Sequence, residues 1–118
     1  MESAIYRFGS FELDLALFEL RGKGSKRTLP RRSFALLKYL VEHHDRVVTK
    51  EELLAEVWPD AVVAPGVVPT YVKRIRRALG QSAGADTPIR TYHGRGYRLT
   101  VPVIRIDRRS TATARQSA

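Results

Sequence analysis

The sequence predicts an α+β fold with short strands first, three helices next and a β-hairpin near the end. Glycine-punctuated segments of strand length fill the first thirty residues, and three stretches with helical apolar spacing follow. Two further strand-like segments then flank a Gly-Arg-Gly bend. A chain of 118 residues suits one domain. We place that domain at residues 1–106 and interpret residues 107–118, which are small, polar and basic, as a disordered tail or linker.

The N-terminal segments IYRF, FELDL, LFELR and KRTL have the length of strands. Phe11, Leu13 and Leu15 alternate with polar neighbours, which predicts one buried face. The GKGS stretch at residues 22–25 resembles part of a phosphate-binding loop but lacks the earlier glycine of that motif. We therefore interpret it as a hairpin turn.

The first two helices have recognisable spacing and ends. RRSFALLKYLVEHH, residues 31–44, carries its apolar residues on one face and follows Pro30. TKEELLAEVW begins with Thr49 and Glu52 at the spacing of a capping box, in which each side chain satisfies a free backbone N–H of the first turn. Pro59 ends this second helix.

The third helix is predicted to be apolar on one side and cationic on the other. At 100° per residue, the apolar stripe comprises Val68, Val72, Ile75 and Leu79. The opposite side comprises Thr70, Lys73, Arg74 and Arg77. Pro69 fits in the first turn, where a missing N–H costs little, and Gly80 suits the C-terminal end.

The positive charge of the chain is concentrated in its second half. Residues 1–60 hold ten Lys and Arg and ten Asp and Glu, whereas residues 61–118 hold eleven Lys and Arg against Asp86 and Asp107. The whole net charge of +9 therefore lies in the second half. Such an asymmetry favours a polyanionic partner, nucleic acid first and an anionic membrane second, over basic side chains that are merely solvated.

Several function classes are excluded or disfavoured. The absence of cysteine excludes a disulfide scaffold, thiolate catalysis and a Cys-ligated zinc site, and it favours the cytoplasm. The N-terminus lacks a signal peptide's apolar region, and no apolar run is long enough to span a membrane. His43 and His44 point about 100° apart on a helix and do not readily share a metal. We expect no cofactor, no metal and no enzymatic activity.

The hairpin is predicted to present one arginine. Gly94 and Gly96 allow a sharp bend, which leaves Arg95 at its tip. A slim guanidinium suits the negative potential of a narrow minor groove, whereas an ordinary hairpin would leave it solvated. The cationic third helix favours the first interpretation.

Three helices followed by a hairpin make a winged helix-turn-helix, whose second motif helix enters the major groove. The sequence further resembles the OmpR/PhoB-type C-terminal DNA-binding domain of bacterial transcriptional regulators. The resemblance covers about four fifths of the chain. The matching segments are YRFGSFELD, LPRRSFALLKYLVEH, RVVTKEELLAEVW, VKRIRRALG and IRTYHGRGYRL.

The resemblance implies a four-stranded N-terminal antiparallel sheet, a recognition helix at about residues 67–79 and a wing at residues 92–97 that enters the minor groove. The base-facing residues would be Thr70, Tyr71 and Arg74. The mainly phosphate-facing residues of the helix would be Lys73, Arg76 and Arg77. The wing residue that enters the groove aligns with His93, while the bend itself favours Arg95, and both remain candidates. Further phosphate contacts would come from Tyr97, Thr49 and Lys50.

The resemblance also implies partners. Double-stranded DNA is the first, bound by two copies arranged head to tail on tandem half-sites. The loop at residues 59–65 matches the one that meets RNA polymerase in some relatives, and no membrane contact is expected from this segment. The DNA-binding pattern starts almost at Met1, as in ToxR/CadC-like regulators. We therefore expect a sensing domain to follow it in a longer chain.

Two features leave the function open at this point. Gly66, Val67 and Pro69 stand where the family usually carries polar or charged residues, which puts base reading by the first turn in doubt. The alternative is a winged-helix module that binds a protein or RNA without reading a DNA sequence. RNA readers usually expose stacking aromatics, for which Tyr71 and Tyr92 are the candidates.

Overall fold

The computed structural model describes residues 4–22, 24–80 and 88–107. Its elements in chain order are β1 (Ala4–Phe8), β2 (Phe11–Asp14), β3 (Glu19–Gly22), β4 (Ser25–Arg27), α1 (Arg31–Glu42), β5 (Val48–Thr49), α2 (Lys50–Val57), α3 (Val67–Ala78), β6 (Ile89–Tyr92), β7 (Gly96–Leu99) and β8 (Val103–Asp107). This order confirms the α+β class, the three helices and the hairpin wing.

The chain divides into two compact units. The sheet unit consists of Met1–Thr28 and Pro102–Ala118, and the helical unit consists of Leu29–Val101. Each unit has its own sheet, and all three helices belong to the helical unit. Residues 108–118 of the predicted tail lie outside the described residues, so the domain boundary stays a prediction.

The sheet unit is built on an antiparallel sheet with strand order β4-β3-β2-β1-β8. The four predicted N-terminal strands are confirmed, and β3 and β4 form the hairpin predicted at the GKGS stretch. The fifth strand, β8, was not predicted. It pairs with β1 from Ala4↔Asp107 to Phe8↔Val103, and it includes Asp107, the first residue of the predicted tail. Pairing across the length of the chain leaves no local signal, which is why the sequence did not reveal it.

The helical unit packs its three helices around a buried apolar core. Side chains in this core include Phe34, Leu37, Leu40, Val41, Leu53, Val57, Val68, Val72, Ile75 and Leu79. Burying each large aliphatic side chain contributes about 1.5–3 kcal/mol. α1 ends at Glu42, earlier than the predicted His44, and His43 is its C-terminal cap.

The start of α2 uses half of the predicted capping box. The Thr49 hydroxyl accepts a hydrogen bond from the Glu52 N–H at 3.1 Å, as expected for an N-cap. The Glu52 carboxylate does not complete the box. It accepts instead from the Arg46 guanidinium, at 2.8 Å, and from the Tyr39 hydroxyl.

The wing requires its two glycines for different reasons. β6 and β7 form an antiparallel hairpin, and β7 pairs on its other side with β5. Gly94 has a φ of +75°, which other residues rarely adopt. At Gly96, a Cβ atom would lie 1.9 Å from the carbonyl oxygen of Val48. Gly96 is therefore needed for the close approach of β5 and β7.

Candidate nucleic-acid interface

α3 has one fully buried face and one exposed face, as its periodicity predicts. Val68, Val72, Ile75 and Leu79 are each 0% exposed. The exposed residues of the helix are Pro69, Thr70, Lys73, Arg74 and Arg77. Because the apolar stripe orients the helix, three cationic side chains are directed together toward solvent.

The first turn of α3 offers little to a ligand. The N–H groups of Val67 and Val68 donate to carbonyls of the preceding loop, at 3.0 and 3.3 Å, and Pro69 has no N–H. The Thr70 hydroxyl donates to the Gly66 carbonyl at 3.2 Å. The helix therefore presents side chains from Thr70 onward, and its N-terminal backbone is already engaged.

Arg74 is stacked on an aromatic ring. Its guanidinium carbon lies 4.9 Å from the centre of the Tyr71 ring. That ring in turn meets Trp58 edge to face, with the ring centres 5.1 Å apart and the planes at 81°. Trp58 is 6% exposed and Tyr71 is half-buried. Tyr71, predicted to face bases, is thus the middle of a stack that runs from a buried indole to an exposed guanidinium.

Arg76 is bonded to the wing, which differs from the phosphate-facing role that we expected. Its guanidinium donates twice to the Ile89 carbonyl, at 3.2 and 2.7 Å, and once to the Thr91 hydroxyl, at 2.8 Å. The side chain is half-buried, and this burial lowers the pKa of its guanidinium. Arg76 therefore joins α3 to β6.

The wing exposes His93 and Arg95 at its turn, where the Arg95 N–H donates to the Tyr92 carbonyl at 2.9 Å. Tyr97 is different. It is 5% exposed, and burial raises the pKa of its hydroxyl. A side chain with so little accessible surface is poorly placed for the phosphate contact that we expected of it.

The remaining predicted positions lie at the start of α2 and in the following loop. Thr49 and Lys50 are exposed, although the Thr49 hydroxyl already caps the helix. In the loop at residues 59–65, every residue but Val63 is exposed, and Val62 is fully so. The polymerase contact of this loop stays a prediction.

Sequence reasoning missed three supporting residues. Arg98 donates from β7 to the His44 carbonyl at 3.0 Å, Arg90 lies 5.4 Å from the centre of the Tyr92 ring, and Trp58 supports Tyr71. The Arg90 pair was detectable, because residues two apart on a strand share a face. The contacts of Arg98 and Trp58 join distant segments and leave no local signal.

Within residues 4–22, 24–80 and 88–107, no three His, Cys, Asp or Glu side chains are grouped so that they could hold a metal ion. No helix in that same part of the chain is long and apolar enough to cross a membrane.

Comparison with known proteins agrees with the geometry. The family model described as "Transcriptional regulatory protein, C terminal" matches residues 24–99. The transcriptional activator CadC of Escherichia coli is 30% identical over 106 residues, which are 88% of this chain and 20% of CadC. This chain spans 20 to 44% of the length of the curated relatives it matches first.

Two solved structures are also similar. The DNA-binding domain of E. coli CadC superposes with a TM-score of 0.77 at 28% identity, covering 88% of this chain and 98% of that one. The response regulator DrrB, an OmpR/PhoB homologue from Thermotoga maritima, superposes with a TM-score of 0.75 at 38% identity. That match covers 81% of this chain and 44% of DrrB. The resemblance inferred from the sequence is confirmed.

Proposed function

Because this chain belongs to the family of C-terminal domains of transcriptional regulatory proteins, we propose that it binds double-stranded DNA in a sequence-specific manner. In this role it is the DNA-binding domain of a bacterial transcriptional regulator. The similarity to the DNA-binding domain of CadC supports the proposal. α3 enters the major groove, and the wing approaches the adjacent minor groove.

One observation carries this proposal: the exposed face of α3 presents Lys73, Arg74 and Arg77 opposite a fully buried stripe. A helix of this kind fits the major groove, which is about 12 Å wide. Its apolar side anchors it in the protein, while its cations meet phosphates and base edges. Within the described residues, no carboxylate pairs with these three side chains.

The exposed residues divide by the chemistry of their side chains. Arg74 reads a base, because a guanidinium can donate two hydrogen bonds to one guanine edge, and Thr70 is a second reader. Lys73, Arg77 and Lys50 neutralise phosphates, and the exposed N-cap residue Thr49 donates a hydrogen bond from its hydroxyl to a phosphate oxygen. His93 and Arg95 are the two candidates for the minor groove.

The buried and engaged residues support the readers. Arg76 holds the wing against α3 through three hydrogen bonds, and Tyr97 packs within the wing's sheet. We assign them to the shape of the interface, because the half-buried Arg76 is bonded to β6 and the almost fully buried Tyr97 has little surface to offer a phosphate.

The remaining parts of the proposal follow from DNA binding. Two copies occupy tandem half-sites about one helical turn apart, and the exposed loop at residues 59–65 contacts RNA polymerase. Binding to the chromosome places the domain in the cytoplasm. Its role is recognition rather than catalysis.

The test is selection of bound duplexes from a random-sequence DNA pool at about 150 mM salt, followed by sequencing. Enrichment of a tandem motif is the expected result. Retention of DNA without any motif would leave an electrostatic binder that does not read sequence. Preference for RNA duplex or single strands in a competition assay would favour the interaction-module alternative.

Two variants separate reading from anchoring. Arg74→Ala should erase the preference at one base pair, a loss of about 1–3 kcal/mol of discrimination. Lys73→Ala should weaken binding to every sequence alike and lower the slope of log affinity against log salt by about 0.9. Equal losses of preference from both variants would contradict these roles.

A further inference from the structure

The most informative arrangement on the exposed face of α3 is the stack formed by Trp58, Tyr71 and Arg74. Trp58 caps the C-terminal end of α2 and is almost fully buried, so its indole is a fixed support. Tyr71 leans on it edge to face at 5.1 Å, and the Arg74 guanidinium lies over the Tyr71 ring at 4.9 Å. The exposed arginine is thus linked to the core through two aromatic rings.

Such a stack matters because an arginine without a supporting contact is poorly suited to recognising a single base. Its long side chain samples many rotamers, and fixing one of them on binding is entropically unfavourable. A guanidinium that stacks on a ring has a restricted orientation and keeps its in-plane N–H groups free to donate. Bidentate bonding to a base edge needs that orientation.

We propose that Tyr71 is a positioning residue, which orients Arg74 for base reading through its ring and makes no base contact through its hydroxyl. The inference rests on the proposed function, because it takes Arg74 as a reader. It revises the base-facing role expected for Tyr71. The spacing of the two residues, three apart on α3, lets their side chains meet on one face.

Two variants, Tyr71→Phe and Tyr71→Leu, distinguish the contribution of the aromatic ring from that of the hydroxyl. Phenylalanine keeps the ring, and leucine keeps an apolar side chain against Trp58 but removes the π face. The duplexes are the selected site and its single-base-pair variants, and Arg74→Ala identifies the base pair that Arg74 reads.

At that base pair, Tyr71→Leu should reduce the preference by about 2- to 5-fold, the value of one cation–π contact. Tyr71→Phe should change it by less than about 1.5-fold, since the ring remains. Preferences at the other base pairs should follow the wild-type protein. A general loss of stability or affinity would lower binding to all sequences and leave the individual preference intact.

A second measurement needs no DNA. Nitrogen-15 relaxation of the Arg74 Nε in the free protein should report an ordered guanidinium in the wild-type chain and in Tyr71→Phe. In Tyr71→Leu the same atom should become mobile on the nanosecond timescale.

Three results would overturn the proposal. Equal loss of the preference in Tyr71→Phe and Tyr71→Leu would mean that the hydroxyl reads the base. Retention of the preference and of Arg74 order in Tyr71→Leu would mean that the stack is dispensable. A wild-type chain with no base preference would refute the proposed function, and with it the positioning role, while the relaxation data would still decide whether the stack orders Arg74.

Discussion

The sheet unit and the α3–wing region, residues 67–80 with 88–99, differ in the partners that most of their bonded basic side chains have. In the sheet unit, two arginines meet carboxylates: Arg7 lies 2.9 Å from Glu12, and Arg21 lies 3.2 Å from the buried Asp14. Arg27 is the exception there, because it donates to the Gly22 carbonyl at 3.0 Å. In the α3–wing region, arginines donate to backbone carbonyls or stack on tyrosine rings.

This difference in partners determines where positive charge remains available to a ligand. A carboxylate neutralises the cation it pairs with, whereas a carbonyl or an aromatic ring leaves the charge in place. In the α3–wing region, the arginines that donate to carbonyls and those that stack on tyrosine rings therefore stabilise the fold and still contribute positive charge to its surface. This use of uncharged partners keeps the region cationic without leaving its half-buried arginines unbonded.

The largest effect is expected from breaking the bond between α3 and the wing. Arg76→Lys keeps the charge but replaces a planar fork by a single ammonium, which cannot reproduce the three bonds to Ile89 and Thr91. The free energy of unfolding should fall by about 1–2 kcal/mol. Urea denaturation monitored by circular dichroism measures it.

The neighbouring residue supplies the matched control. Arg77→Lys makes the same exchange on an exposed side chain and should change the unfolding free energy by less than about 0.5 kcal/mol. Equal unfolding free energies for the two variants would show that Arg76 does not hold the wing.

A smaller effect is expected on DNA affinity, which should fall when an arginine of the α3–wing region is removed and not when one of the sheet unit is removed. Arg77→Ala and Arg7→Ala each remove one positive charge, the first from the exposed face of α3 and the second from a salt bridge with Glu12. Losing one phosphate contact should weaken binding about fivefold at 150 mM salt and lower the salt slope by about 0.9. Arg7→Ala should retain the wild-type slope.

Fluorescence anisotropy with one duplex, titrated at several salt concentrations, measures both slopes. If the two variants lost affinity equally, net charge alone would govern binding, and the contrast between the regions would have no functional meaning.

The smallest effect is expected at Glu52 in the helical unit. This carboxylate forms a salt bridge with an arginine, Arg46, as carboxylates of the sheet unit do. Hydrogen bonds from Arg46 and Tyr39 lower the pKa of Glu52 from an ordinary 4.5 to about 2. A depressed carboxyl pKa stabilises the folded chain above pH 4.5, and this contribution is lost as the pH falls from 4.5 toward 2. The exposure of Arg46 screens the pair, so the effect should be modest.

Glu52→Gln removes the titrating group and should flatten this part of the stability profile. Urea midpoints at pH values between 7 and 3 would show it, with Glu51→Gln on the same helix as the control. A profile as steep in Glu52→Gln as in the wild type would assign the acid sensitivity to other carboxylates.

Much of this molecule follows from sequence because its signals are local. The 3.6-residue period alone identified the buried stripe of three α3 residues and the C-cap residue Leu79, and with it the exposed cations of the helix. Thr49 marked the start of α2 through its own side chain, and Gly94 marked the wing's turn by its backbone freedom. The family resemblance rests on the same local motifs.

The tertiary structure alone decided which arginine does what. Arg76 and Arg77 are neighbours in sequence and identical in chemistry. Because of the position of β6, however, Arg76 forms hydrogen bonds with that strand, whereas Arg77 stays exposed to solvent. The contact between Trp58 and Tyr71 and the pairing of β8 with β1 likewise depend on how distant segments of the chain pack together. Periodicity determines the direction in which a side chain points, but its partner is determined by how the rest of the chain packs around it.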